Sequence, residues 1–327
     1  MKLRLAVLAL VIGSSAGYVA YLLHRPYAAF GDETFIDFPK GTGSAQMADM
    51  LARAGVIAHT WEFLAVRAIE PRRSLKAGEY QFTKPASVLE VYDRIARGDI
   101  FYYTLTVPEG QNLFDIAAEA EKLELFAAAD FLRAARDGSS IRDLDPAAPS
   151  LEGYLFPSSY RLERHTTPER LCHLMTTRFR EVWKEMGAPG NVHAVVTLAS
   201  LVEREARFAM DRPLIASVFS NRLKIGMKLD CDPTTIYASL LDGRYRGAIH
   251  RSDLESENPY NTYRHAGLPP GAIANPGMAS LQAVLEPANS DALYFVLRPD
   301  GSGSHQFSNN IAAHEAATEK YRHGLQR

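Results

Sequence analysis

With 327 residues, 46% of them hydrophobic, the chain can bury a large core and is too long for one minimal domain. A net charge of −2 leaves no basic excess of the kind nucleic-acid binding requires. Two cysteines, Cys172 and Cys231, supply neither a disulfide framework nor metal-ligand spacing; free thiols and a pair in an oxidising compartment both fit them.

The N-terminus carries the clearest topological signal. Lys2 and Arg4 precede an apolar run from Leu5 to Leu23, which as a helix spans roughly 28 Å, about one hydrocarbon core. A cleaved signal peptide has a similar outline. No small-x-small site follows the run, where Leu23, His24, Arg25 and Pro26 stand, and no lipidation cysteine is present. The expectation is an uncleaved anchor over 1–25 with a short cytoplasmic end, the bulk of the chain lying on the far side by the positive-inside rule.

Residues 26–34 read as a tether. Thr34–Phe38 reads as a strand, followed by the Pro39, Gly41 and Gly43 turn and helices over Ser44–Ala54 and Thr60–Ile69. Leu75–Phe82, with Lys76-Ala77-Gly78 as its turn, reads as a returning strand, and Ser87–Arg97 as another helix. Tyr102–Val107 repeats the strand pattern: Val107-Pro108-Glu109-Gly110 before a helix at Leu113–Leu125 parallels Phe38-Pro39-Lys40-Gly41 before its own, too short an echo for a repeat array. Ala127–Pro149 reads as a helix and an irregular connector over the end of a linking region, 104–150. Leu151-Glu152-Gly153-Tyr154-Leu155-Phe156-Pro157 opens the C-terminal part, 151–327. There Glu152 is a candidate second carboxylate for a cleft or, equally, a group bonding backbone at a strand start. Residues 168–186 read as an amphipathic helix ending at the Ala188-Pro189-Gly190 turn.

The next segment sets the chemistry. Stepped at about 100° per residue as a helix, Ala194–Ala209 gathers Ala194, Leu198, Leu201, Val202 and Ala209 on one side, with Glu205 in their middle. Ser200, Arg204 and Arg207 point away, and Glu203 falls near the edge, as a solvated partner of the arginines. A carboxylate on a core-facing stripe loses solvation, which raises its pKa and suits it to donate a proton near neutral pH. The same spacing fits a helix end at which Glu205 caps or pairs with an arginine.

Beyond it, Asp211 is placed to cap a helix running to Ile225, with Pro213 in its first turn and Asn221 and Arg222 at the end that leads back to the cleft. Asp232-Pro233-Thr234 reads as a loop whose polar side chains meet a sugar. The Pro/Gly-rich stretch 258–276 follows, with Tyr260, Asn261, Thr262 and Tyr263 as cleft lining or as part of a rigid surface loop. Leu293–Leu297 reads as a buried strand. Gly301–Ser304 turns into His305-Gln306-Phe307-Ser308-Asn309, in which His305 fits either a substrate contact or a satisfied structural histidine. Ile311–Tyr321 reads as a closing surface helix.

The runs LASLVEREA, SVFSNRLKIGMKLDCDPTTIYA and NPYNTYRHAGLPPGAIANPG, in this order, strongly resemble the endolytic murein transglycosylases of the YceG-like family. The resemblance covers nearly the whole chain and is densest from Leu198 to Pro276. It implies an α+β fold with a transmembrane helix, a small LysM-like β-α-α-β subdomain at 35–103 that holds N-acetylhexosamine chains, and a larger mixed α/β catalytic domain. It implies Glu205, the second Glu of V-E-R-E, as the catalytic residue. Tyr154, Asn221, Arg222, Asp232, Thr234, Tyr260 to Tyr263, Glu152 and His305 are the substrate-binding set. Where the family continues L-E-G-Y-L-F-P with Asp-Thr-Tyr, this chain has Ser158-Ser159-Tyr160, so no role can rest on that carboxylate. The implied reaction cuts inside peptidoglycan glycan strands at the cytoplasmic (inner) membrane, on the periplasmic side and beside cell-wall synthases. No H-E-x-x-H, G-x-S-x-G or phosphate loop is present, nor a Schiff-base lysine in a phosphate-binding context. The expected chemistry is therefore carboxyl-based, with no metal or cofactor. A membrane-tethered glycan binder without catalysis is the rival expectation.

Overall fold

The computed structural model describes residues 2–187 and 190–324, so Ala188 and Pro189 of the expected turn lie outside the described residues. The chain is a mixed α/β protein that divides into two compact units, 1–103 and 104–327.

The first unit begins with α1 (Lys2–His24), 23 residues long and apolar enough to cross a membrane. Its side chains are exposed except at the end, where Leu23 enters the unit's core. Strands β1 (Thr34–Phe38) and β2 (Gly78–Phe82) pair antiparallel, Thr34 opposite Phe82 and Phe38 opposite Gly78. Period-two alternation turns Ile36, Phe38, Tyr80 and Phe82 to one face. Between them α2 (Ser44–Arg53) and α3 (Thr60–Ile69) bury Met47, Ala48, Leu51, Phe63 and Val66 against that face. A fourth helix, α4 (Val88–Arg97), starts at a Ser87–Glu90 capping box and stops at Gly98, whose φ of +79° ends it. Residues 26–34 are bonded to this unit instead of forming a free tether: Tyr27 exchanges backbone bonds with Ala86, and Ala29 N–H donates to Gly55 O at 2.8 Å.

In the second unit β3 (Tyr103–Val107) pairs with β4 (Ser158–Leu162), and Thr106 and Ser159 hydroxyls meet at 3.0 Å. α5 (Leu113–Lys122), capped by Asn112, packs with α6 (Ala128–Arg136), which packs on α7 (Pro168–Glu185). The centre is a helical cluster of α8 (Val192–Glu205), α9 (Arg212–Lys224), α10 (Asp232–Leu241) and, after the short α11 (Arg251–Leu254), α12 (Met278–Leu285). Leu198, Leu201, Val202, Ile215, Phe219, Leu229 and Tyr237 form its core. β5 (Tyr294–Leu297) and β6 (His305–Ser308) pair antiparallel, and α13 (Ile311–Gly324) packs over them.

Three expectations are corrected. α8 ends at Glu205, not Ala209, because Ala206 takes an extended ψ of 115°. Asp232-Pro233-Thr234 is the first turn of α10, where a proline costs no hydrogen bond, and not a loop. Every residue of β5 is half-buried, because the two-stranded ribbon is open on one side.

Candidate active site

The polar motifs separate into a scaffold and a groove. In the scaffold, Glu152 is buried and its Oε2 accepts Leu113 N–H at 2.9 Å, at the start of α5. Its Oε1 accepts from Asn275 Nδ2 at 2.9 Å, while Asn275 Oδ1 takes the N–H groups of Gly153 and Leu155, each at 2.9 Å. One asparagine thus ties the 151–157 motif to the loop before α12. Burial pushes the Glu152 carboxyl up to about 8, against the pull of the Leu113 N–H and Tyr237 hydroxyl. Gly153 is required here: its φ is +89°, and a Cβ would lie 2.6 Å from Ala272 Cβ and Val196 Cγ1. Tyr154 is also buried, its hydroxyl donating to Asp145, which His193 Nδ1 meets at 2.7 Å.

The 258–263 residues do similar work. Asn261 is fully buried, donating to the carbonyls of Asp253, Leu254 and Ser256 and accepting Tyr263 N–H. Thr262 Oγ1 accepts Cys231 N–H at 3.0 Å and meets Thr234 Oγ1 at 2.9 Å, while Thr234 donates to Cys231 O at 2.6 Å. Tyr260 packs on Tyr237 with ring centroids 5.1 Å apart. Asn221 donates to the carbonyls of Ser290 and Ala292. None of Glu152, Tyr154, Asn221, Thr234, Tyr260, Asn261 and Thr262 lines the cavities that Glu205 borders.

Glu205 is the last residue of α8 and stands between two adjoining cavities. One, of about 380 Å³, is walled by Arg222, Asp230, Asp232, Tyr263, Tyr294 and Phe295 among others. The other, of about 290 Å³, is walled by Arg207, His305 and the Phe295–Leu297 strand. Phe295 also borders both, so the two join at Glu205 and Phe295 into one groove. Cys231 Sγ donates to Glu205 Oε1 at 3.2 Å. Desolvation drives the Glu205 carboxyl up to about 7; the thiol pulls it back, Asp232 raises it, and Arg204 and Arg222 lower it. A position at the negative end of a helix acts in the same upward direction. The Cys231 thiol is itself pushed well up by burial and by Glu205, so it stays protonated and acts as a donor.

Of the sequence-derived set, Arg222, Asp232, Tyr263 and His305 therefore share the groove with Glu205. Tyr263 hydroxyl donates to Asp232 Oδ1 at 2.7 Å. Arg222 is held by the carbonyls of Leu293 at 2.6 Å and Leu229 at 2.8 Å, and lies 5.2 Å above the Tyr294 ring. His305 Nδ1 and N–H both meet Asp211 Oδ2, at 2.8 and 3.1 Å, so Asp211 braces β6 and makes no side-chain cap on α9. Tyr294, Phe295 and Asp230 also line the walls and were not singled out from the sequence, while Arg207, expected to point away, lines the groove because the helix ends at Glu205. Asp230 has a positive φ of 49°, a feature that only its place in the Leu229-Asp230-Cys231 turn hints at.

Two neighbours of Glu205 differ from expectation. The Glu203 side chain is only 5% exposed and pairs with Arg212 at 3.0 Å while accepting Gly277 N–H at 3.0 Å; it is an internal ion-pair member, and Arg204 turns instead to Gly110 O. Ser200 faces inward, taking Ile273 N–H at 3.1 Å and donating to Thr197 O at 2.7 Å, which hides its polarity in the core.

Comparison with known proteins identifies the family. The YceG-like family model matches residues 36–320. An endolytic murein transglycosylase of Bacillus subtilis (strain 168) is 32% identical, over 95% of this chain and 91% of that protein. One from Streptococcus pneumoniae serotype 2 is 28% identical over 86% of this chain and 57% of its own greater length. A crystal structure of a YceG-like protein from Listeria monocytogenes superposes with a TM-score of 0.57 at 29% identity, covering 87% of this chain and 98% of that one. With the family model matching its residues 36–320 and a relative 32% identical over 95% of its length, the chain belongs to the YceG-like family.

Proposed function

We propose that this protein is a membrane-anchored endolytic lytic transglycosylase that cuts peptidoglycan between N-acetylmuramic acid and N-acetylglucosamine. The observation that carries the reading is the Glu205 carboxyl, raised to about 7 and open to a groove on both sides. A proton is then available at neutral pH, and sugars can extend in both directions from the cut, as cleavage within a strand requires.

Glu205 gives its proton to the glycosidic oxygen as the C1–O bond breaks. The carboxylate left behind takes the proton of the same sugar's C6 hydroxyl, whose oxygen closes on C1 to form the 1,6-anhydro ring. The nucleophile is already tethered, so much of the entropy cost is met before reaction and no activated water is needed. Asp230 and Asp232, in the same cavity, oppose the positive charge that develops at C1. Tyr263 offers its ring for sugar contact, while the Tyr294 ring is engaged by Arg222 and His314. The segment 35–103 acts as a LysM-like glycan holder, 104–150 as the connection and 151–327 as the catalytic domain. α1 sits in the cytoplasmic membrane with Lys2 and Arg4 inside, placing the groove in the periplasm beside the cell-wall synthases.

Glu205→Gln is expected to stay folded and to abolish release of anhydro-ended fragments from purified sacculi, read by mass spectrometry. Equal activity in that variant rejects the assignment. Products one water heavier replace it with hydrolysis. If the wild-type chain pulls down sacculi without cutting them, the tethered binder stands instead.

A further inference from the structure

The groove does not end at β5. A third cavity, of about 220 Å³, shares Arg207 and Leu297 with the one beside Glu205 and continues over Arg298, Pro299, Gly301, Gly303 and Tyr321. Two arginines line it, and among the described residues no acidic residue does. Arg207 has no ion pair among the described residues. Arg298 Nε donates to His305 O at 3.2 Å. The nearest charge in sequence, Asp300, accepts Ser302 N–H at 2.9 Å and does not line the cavity, although it lies within electrostatic reach of Arg298, whose charge helps to hold it low. The turn is shaped around Arg207: Gly303 has a φ of +76°, and a Cβ there would come within 3.4 Å of Arg207 Nη1 and 3.2 Å of Phe208. The charge along the groove is therefore lopsided. On one side of Glu205 stand Asp230 and Asp232 with Arg222, which pairs with Asp230 at 3.7 Å, and on the other two arginines follow one another.

We propose that this cationic cavity is a subsite for a free carboxylate on the peptide branch of the glycan. The inference rests on the reading that Glu205 cleaves peptidoglycan. The bond cut is at C1 of the muramic sugar, and that sugar carries the peptide through its lactyl group. The branch must therefore leave the groove close to the acid. Arg207 is two residues beyond Glu205, within about 7 Å along the chain, at the distance a branch on the reacting sugar reaches. A planar guanidinium matches a carboxylate with two parallel hydrogen bonds, and a pair of them in an acid-free cavity selects an anion over a neutral sugar. The subsite would fix which sugar sits on which side of Glu205.

The test uses the full chain in detergent micelles. Rates of anhydro-end release are compared on peptide-bearing glycan strands and on the same strands with their peptide carboxylates converted to neutral amides by a carbodiimide and ammonia. The wild-type protein is expected to favour the strands with free carboxylates by about fivefold, the range for partly exposed charged pairs, and Arg207→Ala to bring the ratio near one. Arg298→Lys, which keeps the charge and loses the fork, is expected to fall between. A ratio equally high in Arg207→Ala, or near one in the wild type, overturns the subsite. A second measurement does not need turnover: a soluble disaccharide with its peptide, and the same molecule with its peptide carboxylates amidated, are titrated into the Glu205→Gln protein. Tighter binding of the first, lost with the added Arg207→Ala change, supports the subsite even if no cleavage is ever seen. Equal binding of the two molecules rejects it even if cleavage is robust.

Discussion

The thiol beside Glu205 gives the most direct handle on the chemistry. Cys231 is buried, its N–H and C=O are clamped by Thr262 and Thr234, and its Sγ donates to Glu205 Oε1 at 3.2 Å. Glu205 must begin protonated, so the rate constant kcat/KM falls as pH rises through the acid's value of about 7. Any donor to Glu205 favours its charged form and moves that alkaline limb down. Hydrogen bonds to charged groups contribute about 1.5–3 kcal/mol with ordinary donors, and a thiol gives less. Cys231→Ser replaces a weak donor by a stronger one. A gain of about 1 kcal/mol toward the carboxylate corresponds to roughly 0.7 pH unit, so the limb moves to lower pH by that amount. Cys231→Ala removes the donor and moves the limb the opposite way. The assay is anhydro-end release from sacculi between pH 5 and about 9, with thermal unfolding as a check that both variants fold. Shifts of the same sign in Ser and Ala, or none in either, refute the tuning argument.

Other perturbations address the scaffold. Glu152→Ala strands the Leu113 N–H and the Asn275 amide and opens a cavity, so a loss of about 3–4 kcal/mol is expected, seen as a lower thermal midpoint. The folded Glu152 carboxyl titrates at about 8 against 4.5 unfolded, so its contribution is full below pH 4.5 and lost as pH rises through 8. The variant should flatten that part of the stability–pH curve. Glu203→Gln breaks the enclosed pair with Arg212 and is expected to cost about 3 kcal/mol in denaturant titration, while the folded fraction still makes anhydro ends. Gly153→Ala meets both a left-handed backbone and contacts at 2.6 Å, and should lower soluble yield and the thermal midpoint more than any of these.

Much of the smaller unit is legible in the sequence because its signals are local. Alternating Ile36, Phe38, Tyr80 and Phe82, the Ser87–Glu90 cap and the Gly98 stop each act within a few residues, and the elements begin and end there. α8 is different. No glycine or proline marks its end, and Ala206-Arg207 would continue a helix, so periodicity carries the reading past Glu205 to Ala209. Asp232-Pro233 misleads in the other direction, since a proline that breaks a helix interior begins one at its first turn. Counting apolar positions also cannot place Ser200 inward, because its hydroxyl is satisfied by Thr197 O and Ile273 N–H.

The groove was half legible for a related reason. An irregular segment that runs through the interior has no ladder to pair its backbone, so side chains must supply the partners. Asn261, Thr262 and Asn275, each at most 1% exposed, do this for the 258–276 loop. From the sequence, an amide that satisfies its own loop looks the same as one that reads a sugar. The tertiary fold separates them, and burial alone does not: Arg222 and His305 are buried yet line the groove with Asp232 and Tyr263, while half-buried Asn221 is consumed in holding it. The wall opposite Glu205 comes from β5, whose apolar letters read as core. All four of its residues are half-buried, one side packed on β6 and α13 and the other left facing the acid. A short apolar strand that cannot finish burying itself thus lines the cavity beside the carboxyl group, and it is loss of solvation that raises Glu205 to about 7.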